Sequence, residues 1–175
     1  MMALTAEGLT GSVYQMLNHG VSTGALFLIV GMLYERRHTR LIDDYGGIAK
    51  SAPLIAAAFV LVTLSSIGLP GTDGFVGEFL ILSGAWLSKL RGASVITAFA
   101  ATGVILGAVY MLILVERVFF GPIRHGANRT LPDLTLREGT LLAPLLVLIV
   151  VMGLRPQPFL APLKPSVDRL LARFE

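Results

Sequence analysis

The feature that most limits the fold is a series of long apolar segments with almost no formal charge. Residues 13–33 carry no charged side chain if histidine is neutral. As a helix at ~1.5 Å per residue this segment is about 31 Å long, enough to cross the ~30 Å hydrocarbon core of a bilayer. Residues 94–115 and 139–154 are similar, and charged loops at 34–52 and 121–137 separate the runs. The pattern predicts an all-α membrane protein that crosses the bilayer several times.

The composition supports this class and excludes others. Only 14% of the residues are charged and 54% are hydrophobic, whereas soluble domains carry about 25% charged residues. The net charge is +3, but the Lys and Arg lie between apolar runs, where loops on the cytoplasmic side would carry them. We therefore expect the lipid bilayer as a partner and no nucleic acid. The sequence has no cysteine, which excludes disulfides, thiolate metal sites and cysteine catalysis.

The segment 53–90 has two readings. It contains GLPGTDGFVGEF at 68–79, where glycine and proline interrupt two apolar runs. As two spans, each half is only about 24–26 Å long, short of the ~30 Å core. As one span, it is broken at 68–74, and irregular backbone at that depth must be buried in protein or line a wet cavity. The distribution of Lys and Arg slightly favours two spans, which would give five in total.

Two polar features stand out in this apolar setting. Glu78 follows the break, and a charged side chain at bilayer depth costs at least ~2.5–3.5 kcal/mol, so it marks a functional site by default. The alternative is that Glu78 is a neutral, hydrogen-bonded carboxyl with a structural role only. Asp73 is predicted to be the N-cap of the second half-helix.

A polar patch lies on the first apolar segment. Gln15, Asn18, His19 and Ser22 share one helix face, and polar residues in lipid face the bundle interior. They serve either as interhelical hydrogen-bonding contacts or, at His19, as a proton relay, since histidine titrates near pH 6.5.

The tail at 155–175 differs from the rest. Four prolines at 155–165 prevent a continuous helix. The following SVDRLLARF places Val167, Leu170, Leu171 and Phe174 on one face. We predict an interfacial amphipathic C-terminal helix, with a packed cap against the bundle as the alternative.

The motifs NHGVSTGALFLIVGMLYERRHTR at 18–40 and LSSIGLPGTDGFVGEF at 64–79, with ERVFFGP at 116–122 and GLRPQPFL at 153–160, carry a resemblance. The chain resembles the M-type antiporter-like subunits (subunit M) of bacterial proton-translocating NADH:quinone oxidoreductase, respiratory complex I. The family has much longer chains, so the resemblance is to their C-terminal portion. It implies a discontinuous helix at 53–90 and hence four transmembrane spans, at about 12–33, 53–90, 94–120 and 137–154, with a tail at 155–175.

The resemblance also implies roles. His19 matches a histidine on the polar axis of the membrane arm, and Glu78 matches the proton-carrying carboxylate of the broken helix. Related sodium/proton antiporter subunits tend to have lysine at the latter position, so glutamate favours the M type. The expected setting is a bacterial inner membrane complex with other membrane subunits as partners. No cofactor is expected in this chain, while NADH, FMN, iron–sulfur clusters and quinone belong to other subunits. The alternatives are a sodium/proton antiporter subunit and a structural membrane module without an ion path.

Overall fold

The computed structural model describes residues 4–173, and every regular element within them is helical. The α-helices, in chain order, are α1 Ala6–Arg37, α2 Pro53–Ser66, α3 Asp73–Trp86, α4 Ala93–Phe119, α5 Leu136–Leu154, α6 Gln157–Leu160 and α7 Lys164–Leu171. Short 3-10 turns occur at Ile42–Asp44, Ile48–Lys50 and Gly126–Thr130. The all-α prediction is confirmed.

Three helices of this described region, α1, α4 and α5, are each long and apolar enough to cross a membrane. A fourth span is reached when the turns of Ile42–Lys50 are counted with α2, which they meet at 110°. By themselves α2 and α3 have 14 residues each, about 21 Å of helix, which is too short for a ~30 Å core. The division into spans at 12–33, 53–90, 94–120 and 137–154 stays a prediction.

The helices α2 and α3 lie one after the other along α1 and run antiparallel to it. Gly8 of α1 lies against Gly84 of α3, Gly11 against Leu80, and the side-chain amide of Asn18 donates to the Asp73 carbonyl at 2.7 Å. Residues further along α1 thus contact residues nearer the start of α3. Beyond that point α1 packs on α2 instead, through the core residues Ala25, Ile29, Leu33, Ile55, Phe59 and Val62. The pair therefore forms one discontinuous helix beside α1.

The two charged loops meet at one end of the bundle. The Gly47 N–H donates to the Phe120 carbonyl at 3.2 Å, and the side-chain amide of Asn128 donates to the Asp44 carbonyl at 3.2 Å. The chain leaves this end through α2 and α3 and returns through α4. Because the loops share an end, α2 and α3 count as one pass, which supports four passes over five.

The break is set by a glycine that ends α2. Gly68 has φ +72°, and its N–H donates to the Ser65 carbonyl while the Leu69 N–H donates to the Leu64 carbonyl. This is the Schellman arrangement, which needs a left-handed residue and so favours glycine. Pro70 follows and cannot continue the helix. The helical residues stop at 66 and resume at 73, so the predicted break at 68–74 is shifted: it covers residues 67–72.

The tail packs on the bundle. Both α6 and α7 contact α1, and Val167 is 6% exposed. Leu170, by contrast, is exposed. Val167 therefore packs against the bundle, as the packed-cap alternative predicts. An interfacial position of α7 stays a prediction. Phe174 lies outside the described residues.

Candidate functional site

Glu78 lies on the second turn of α3, and its carboxyl reaches back to the break. Helical side chains tilt toward the N-terminus of their helix, which here directs Glu78 toward Gly68. A Cβ added to Gly68 would overlap Oε2 of Glu78. The glycine thus has two functions at this point, since it supplies the left-handed turn and leaves room for the carboxyl.

Glu78 also faces a cavity of about 320 Å³ between α3 and α4. Ser66 and Ile67, at the end of α2, close one side of it. The other lining residues are Ile81, Leu82, Ala100, Gly103, Val104, Gly107 and Tyr110. The carboxyl therefore lines a pocket between α3 and α4.

Asp73, the second carboxyl of the break, is completely buried at 0% exposure. The Ser65 hydroxyl, at the end of α2, donates to its Oδ1, and so does the Gly74 N–H at 3.0 Å. Its Oδ2 has no hydrogen-bond partner among the described residues. The side chain therefore joins the end of α2 to the start of α3.

The prediction that Asp73 is the N-cap of α3 is wrong. Thr72 occupies that position with extended backbone angles, and Asp73 is the first helical residue. The acidic side chain still bonds to a backbone N–H of the first turn. An aspartate at the cap and one at the next position both satisfy helix-start preferences, so the sequence alone did not separate them.

The polar patch on α1 divides into two parts. Asn18 and Ser22 are buried, and the Asn18 amide donates to Gln15 Oε1 at 3.2 Å and to the Asp73 carbonyl. The bond from Asn18 to Asp73 joins α1 to α3 next to the break. His19 is exposed and its ring contacts Thr23 Oγ1 at 3.2 Å. It does not line the cavity of Glu78, so the described chain does not bring the two predicted site residues together.

Two contacts of the site carried no signal in the sequence reading. Tyr14 is fully buried, and its hydroxyl donates to the Met152 carbonyl at 2.8 Å. Gly153 is in contact with Gly71 and Thr72, where an added Cβ would overlap the backbone. The end of α5 is thus fastened to α1 and lies against the break.

Metal binding finds no support in the described region, because residues 4–173 contain no group of three or more His, Asp or Glu side chains arranged to hold an ion.

A bundle of long apolar helices around a discontinuous one, with two carboxyls at the break, defines a multi-pass membrane protein of the class that includes transporters with broken helices.

Comparison with known proteins assigns the family. The family described as "NADH:quinone oxidoreductase/Mrp antiporter, TM" matches residues 1–112, and the chain belongs to it. It is 46% identical to the NADH-quinone oxidoreductase subunit M of Rickettsia prowazekii, over 99% of this chain and 35% of the relative. It is 42% identical to the subunit M of Mycobacterium tuberculosis, over 98% of this chain and 30% of the relative. The chain thus spans about a third of the length of the curated relatives it matches.

Solved structures agree with this family. Respiratory complex I from Thermus thermophilus with bound NADH contains a chain that is 38% identical, with a TM-score of 0.83, over 97% of this chain and 35% of that one. The Mrp complex from Dietzia sp. matches at 23% identity and a TM-score of 0.80, over 95% of this chain and 38% of that one. The second likeness shows the fold alone.

Proposed function

We propose that this chain is part of a proton-translocating subunit of NADH:quinone oxidoreductase in a bacterial inner membrane, with Glu78 as its proton-carrying group. The relatives' name, NADH-quinone oxidoreductase subunit M, supports the assignment. Electron transfer would occur in other subunits, which would hold NADH, FMN, iron–sulfur clusters and quinone. The absence of cysteine from the sequence agrees with that division, because iron–sulfur clusters are held mainly by cysteine thiolates.

The observation that carries the proposal is the position of Glu78 at a helix break. A carboxyl within a membrane bundle is costly to bury, and a packed structural role would fill the space around it. Here the side chain lies against Gly68 and faces a cavity instead. A carboxyl with room for water would suit a proton site, because water can solvate its charged form and carry its proton.

His19 would act as a relay on a different side of the bundle. Its ring is exposed on α1 with Thr23 as its neighbour. A proton passing between His19 and Glu78 would therefore need water or side chains from outside the described residues. For this reason we expect a smaller effect from changing His19 than from changing Glu78.

The experiment compares three variants in the assembled complex in membranes, with proton translocation and NADH:quinone turnover measured at verified subunit content. Glu78→Gln should stop most of the pumping and the coupled turnover while the complex still assembles. Glu78→Asp should keep part of both, and His19→Ala should give a milder defect. Glu116→Gln is the matched control, because Glu116 is exposed on α4 and does not line the cavity.

The alternatives make different predictions. A structural module without an ion path predicts normal pumping by Glu78→Gln. A sodium/proton antiporter subunit predicts sodium-dependent transport that continues without NADH oxidation. Glutamate rather than lysine at position 78 supports the M type, as the resemblance implies.

A further inference from the structure

We infer that Asn18 of α1 is a positioning residue for Glu78: it fixes the first turn of α3 and so directs the Glu78 carboxyl toward Gly68 and away from α1. The inference rests on the proposed function of Glu78 as a proton-carrying group, and it adds the residue that orients that group. Asn18 is 1% exposed, so its contacts lie inside the described bundle.

The helix α3 contacts α1 along one face. Residues spaced by four, three and four positions lie on this side of α3: Asp73, Gly77, Leu80 and Gly84. Their contacts on α1 are, in the same order, Asn18, Gln15, Gly11 and Gly8. Successive residues of a helix are turned by about 100°, so Glu78 points away from the face that holds Gly77. The setting of this face against α1 therefore determines where the Glu78 carboxyl points.

Asn18 supplies a directional bond at the start of that face. Its Nδ2 donates to the Asp73 carbonyl at 2.7 Å and to Gln15 Oε1 at 3.2 Å. Because two acceptor oxygens face the same nitrogen, only the amide NH2 fits there. The Asp73 carbonyl also accepts the helical N–H of Gly77. The bond from Asn18 is therefore attached to the turn of α3 that directly precedes Glu78.

Gly77 makes room for this pair of amides. A Cβ added to Gly77 would overlap Gln15 Oε1 and lie 3.0 Å from Asn18 Nδ2. The nearest atoms there belong to the ends of side chains, whereas a Cβ added to Gly84 would overlap the backbone of Gly8. Gly77 thus accommodates the two amides, and a larger residue at this position would displace them.

Packing alone does not explain an asparagine at position 18. Its Oδ1 is buried and has no hydrogen-bond partner among the described residues, and a buried polar atom without a partner is destabilising. A leucine of similar size would avoid that cost. The amide is therefore best explained by its two donated bonds, which fix α3 against α1.

The test is Asn18→Leu in the assembled complex, with pumping and the pH profile of turnover measured at verified subunit content. We expect assembly, because the Asp73 carbonyl keeps its bond to the Gly77 N–H. Proton translocation per NADH oxidised should fall about threefold or more, since a misplaced reacting group lowers the rate. The pH of half-maximal turnover should shift by about half a unit or more, because the titration of a carboxyl depends on its surroundings. Tyr110 is the other titratable side chain that lines the cavity, but tyrosine titrates near pH 10, so the shift reports on Glu78.

Asn128→Leu is the matched control. Asn128 is also buried, its amide donates to the main-chain carbonyl of an aspartate, Asp44, and its Oδ1 also has no partner among the described residues. It lies where the two charged loops meet, away from the break. We expect Asn128→Leu to leave pumping and the pH profile of the assembled complex unchanged.

Gly77→Ala is the second variant, for use if Asn18→Leu lowers assembly. Its new Cβ would displace the amides of Gln15 and Asn18, while Gly31→Ala, its control, would meet no atom within 4 Å. We expect the same loss of pumping and the same kind of pH shift for Gly77→Ala only.

The inference is overturned if Asn18→Leu pumps like Asn128→Leu with the same pH profile. It is also overturned if Asn18→Leu and Gly77→Ala lower only the amount of assembled complex. Normal pumping by Glu78→Gln would end the proposed function, and this inference with it. A loss of pumping by Glu78→Gln, together with normal pumping by Asn18→Leu, would end the inference alone.

Discussion

Arg36 and Glu138 form a two-pronged ion pair, with two guanidinium nitrogens each 2.7 Å from a carboxylate oxygen. Their side chains are only 7% and 15% exposed. Arg36 also donates to the Met32, Pro132 and Asp133 carbonyls, and Glu138 completes a capping box with Thr135. The pair fastens the end of α1 to the start of α5.

Glu138→Gln should therefore lower the stability of the subunit. Removing one partner of a mostly buried pair leaves the other charge uncompensated, at a cost of about 3–5 kcal/mol. The measurement is the temperature at which the subunit is lost from detergent-solubilised complex. Asp43→Asn is the control, since it breaks the exposed Arg124–Asp43 pair at 3.6 Å, and exposed pairs contribute about 0–1 kcal/mol. Equal losses for both variants would contradict this account.

Gly68→Ala should reduce pumping more than Gly71→Ala. Both glycines have positive φ, so both changes strain the backbone by about 1–2 kcal/mol. Only at Gly68 would the new Cβ overlap the Glu78 carboxyl, while nothing lies within 4 Å at Gly71. Proton translocation by assembled complex compares the two. If both lose the same fraction of pumping, backbone strain explains the effect and the carboxyl contact does not.

Gly84→Ala should weaken the α1–α3 contact. The added Cβ would lie 2.7 Å from Cα of Gly8, and overpacking of this kind costs about 1–3 kcal/mol. Gly31→Ala is the control, because its Cβ would meet no atom within 4 Å. We expect a lower yield of assembled complex for the first change only, as read from native gels. Normal assembly of Gly84→Ala would mean that α1 and α3 separate at little cost.

Asp73→Ala should destabilise the break, and Asp73→Asn should be tolerated. Alanine leaves the Ser65 hydroxyl and the Gly74 N–H without their acceptor, at about 1–3 kcal/mol for an unsatisfied buried group. Asparagine keeps one acceptor oxygen. Thermal loss of the subunit measures the effect, with the exposed Asp168→Ala as control. An Asp73→Asn variant that assembles but does not pump would give Asp73 a proton-carrying role instead.

Four passes place Asp43 and Lys164 on opposite sides of the membrane. Both are exposed, and single cysteines there should react with an impermeant thiol reagent from opposite faces. The basic loop at 34–52 predicts that Met1 and Glu175, which lie outside the described residues, are on the outer face. Reaction of both cysteines from one side would restore the five-span arrangement.

Sequence reasoning predicted the long helices and the break because both depend on local chemistry. Apolar length defines α1, α4 and α5, and glycine followed by proline ends α2. The count of Lys and Arg slightly favours five spans, but it carries no information on which loops touch. The contact of Gly47 with Phe120 supports four passes.

The sequence predicted that Glu78 lies near the break but not how the helices are arranged around it, and the proton-transfer roles of Glu78 and His19 stay predictions. Glu78 was identified by its cost in an apolar setting, and it does lie at the break. Helical periodicity grouped His19 with Asn18, yet they differ in burial because adjacent residues on a helix are about 100° apart. The cavity, the Tyr14 bond to Met152 and the Arg36–Glu138 pair depend on helices distant in sequence, so no local pattern reported them.

Asp133 accepts hydrogen bonds from the Leu54 and Ile55 N–H groups at 3.0 and 3.1 Å, and so satisfies the first donors of α2. The ribosome makes this carboxylate only after α2, α3 and α4 are complete. The broken helix therefore enters the membrane before Asp133 can cap it. The start of α2 is fixed in its final position only late in synthesis. In a nascent chain arrested before residue 133, α2 should be less firmly held, and membrane proteases should degrade that chain faster than one that includes residue 133.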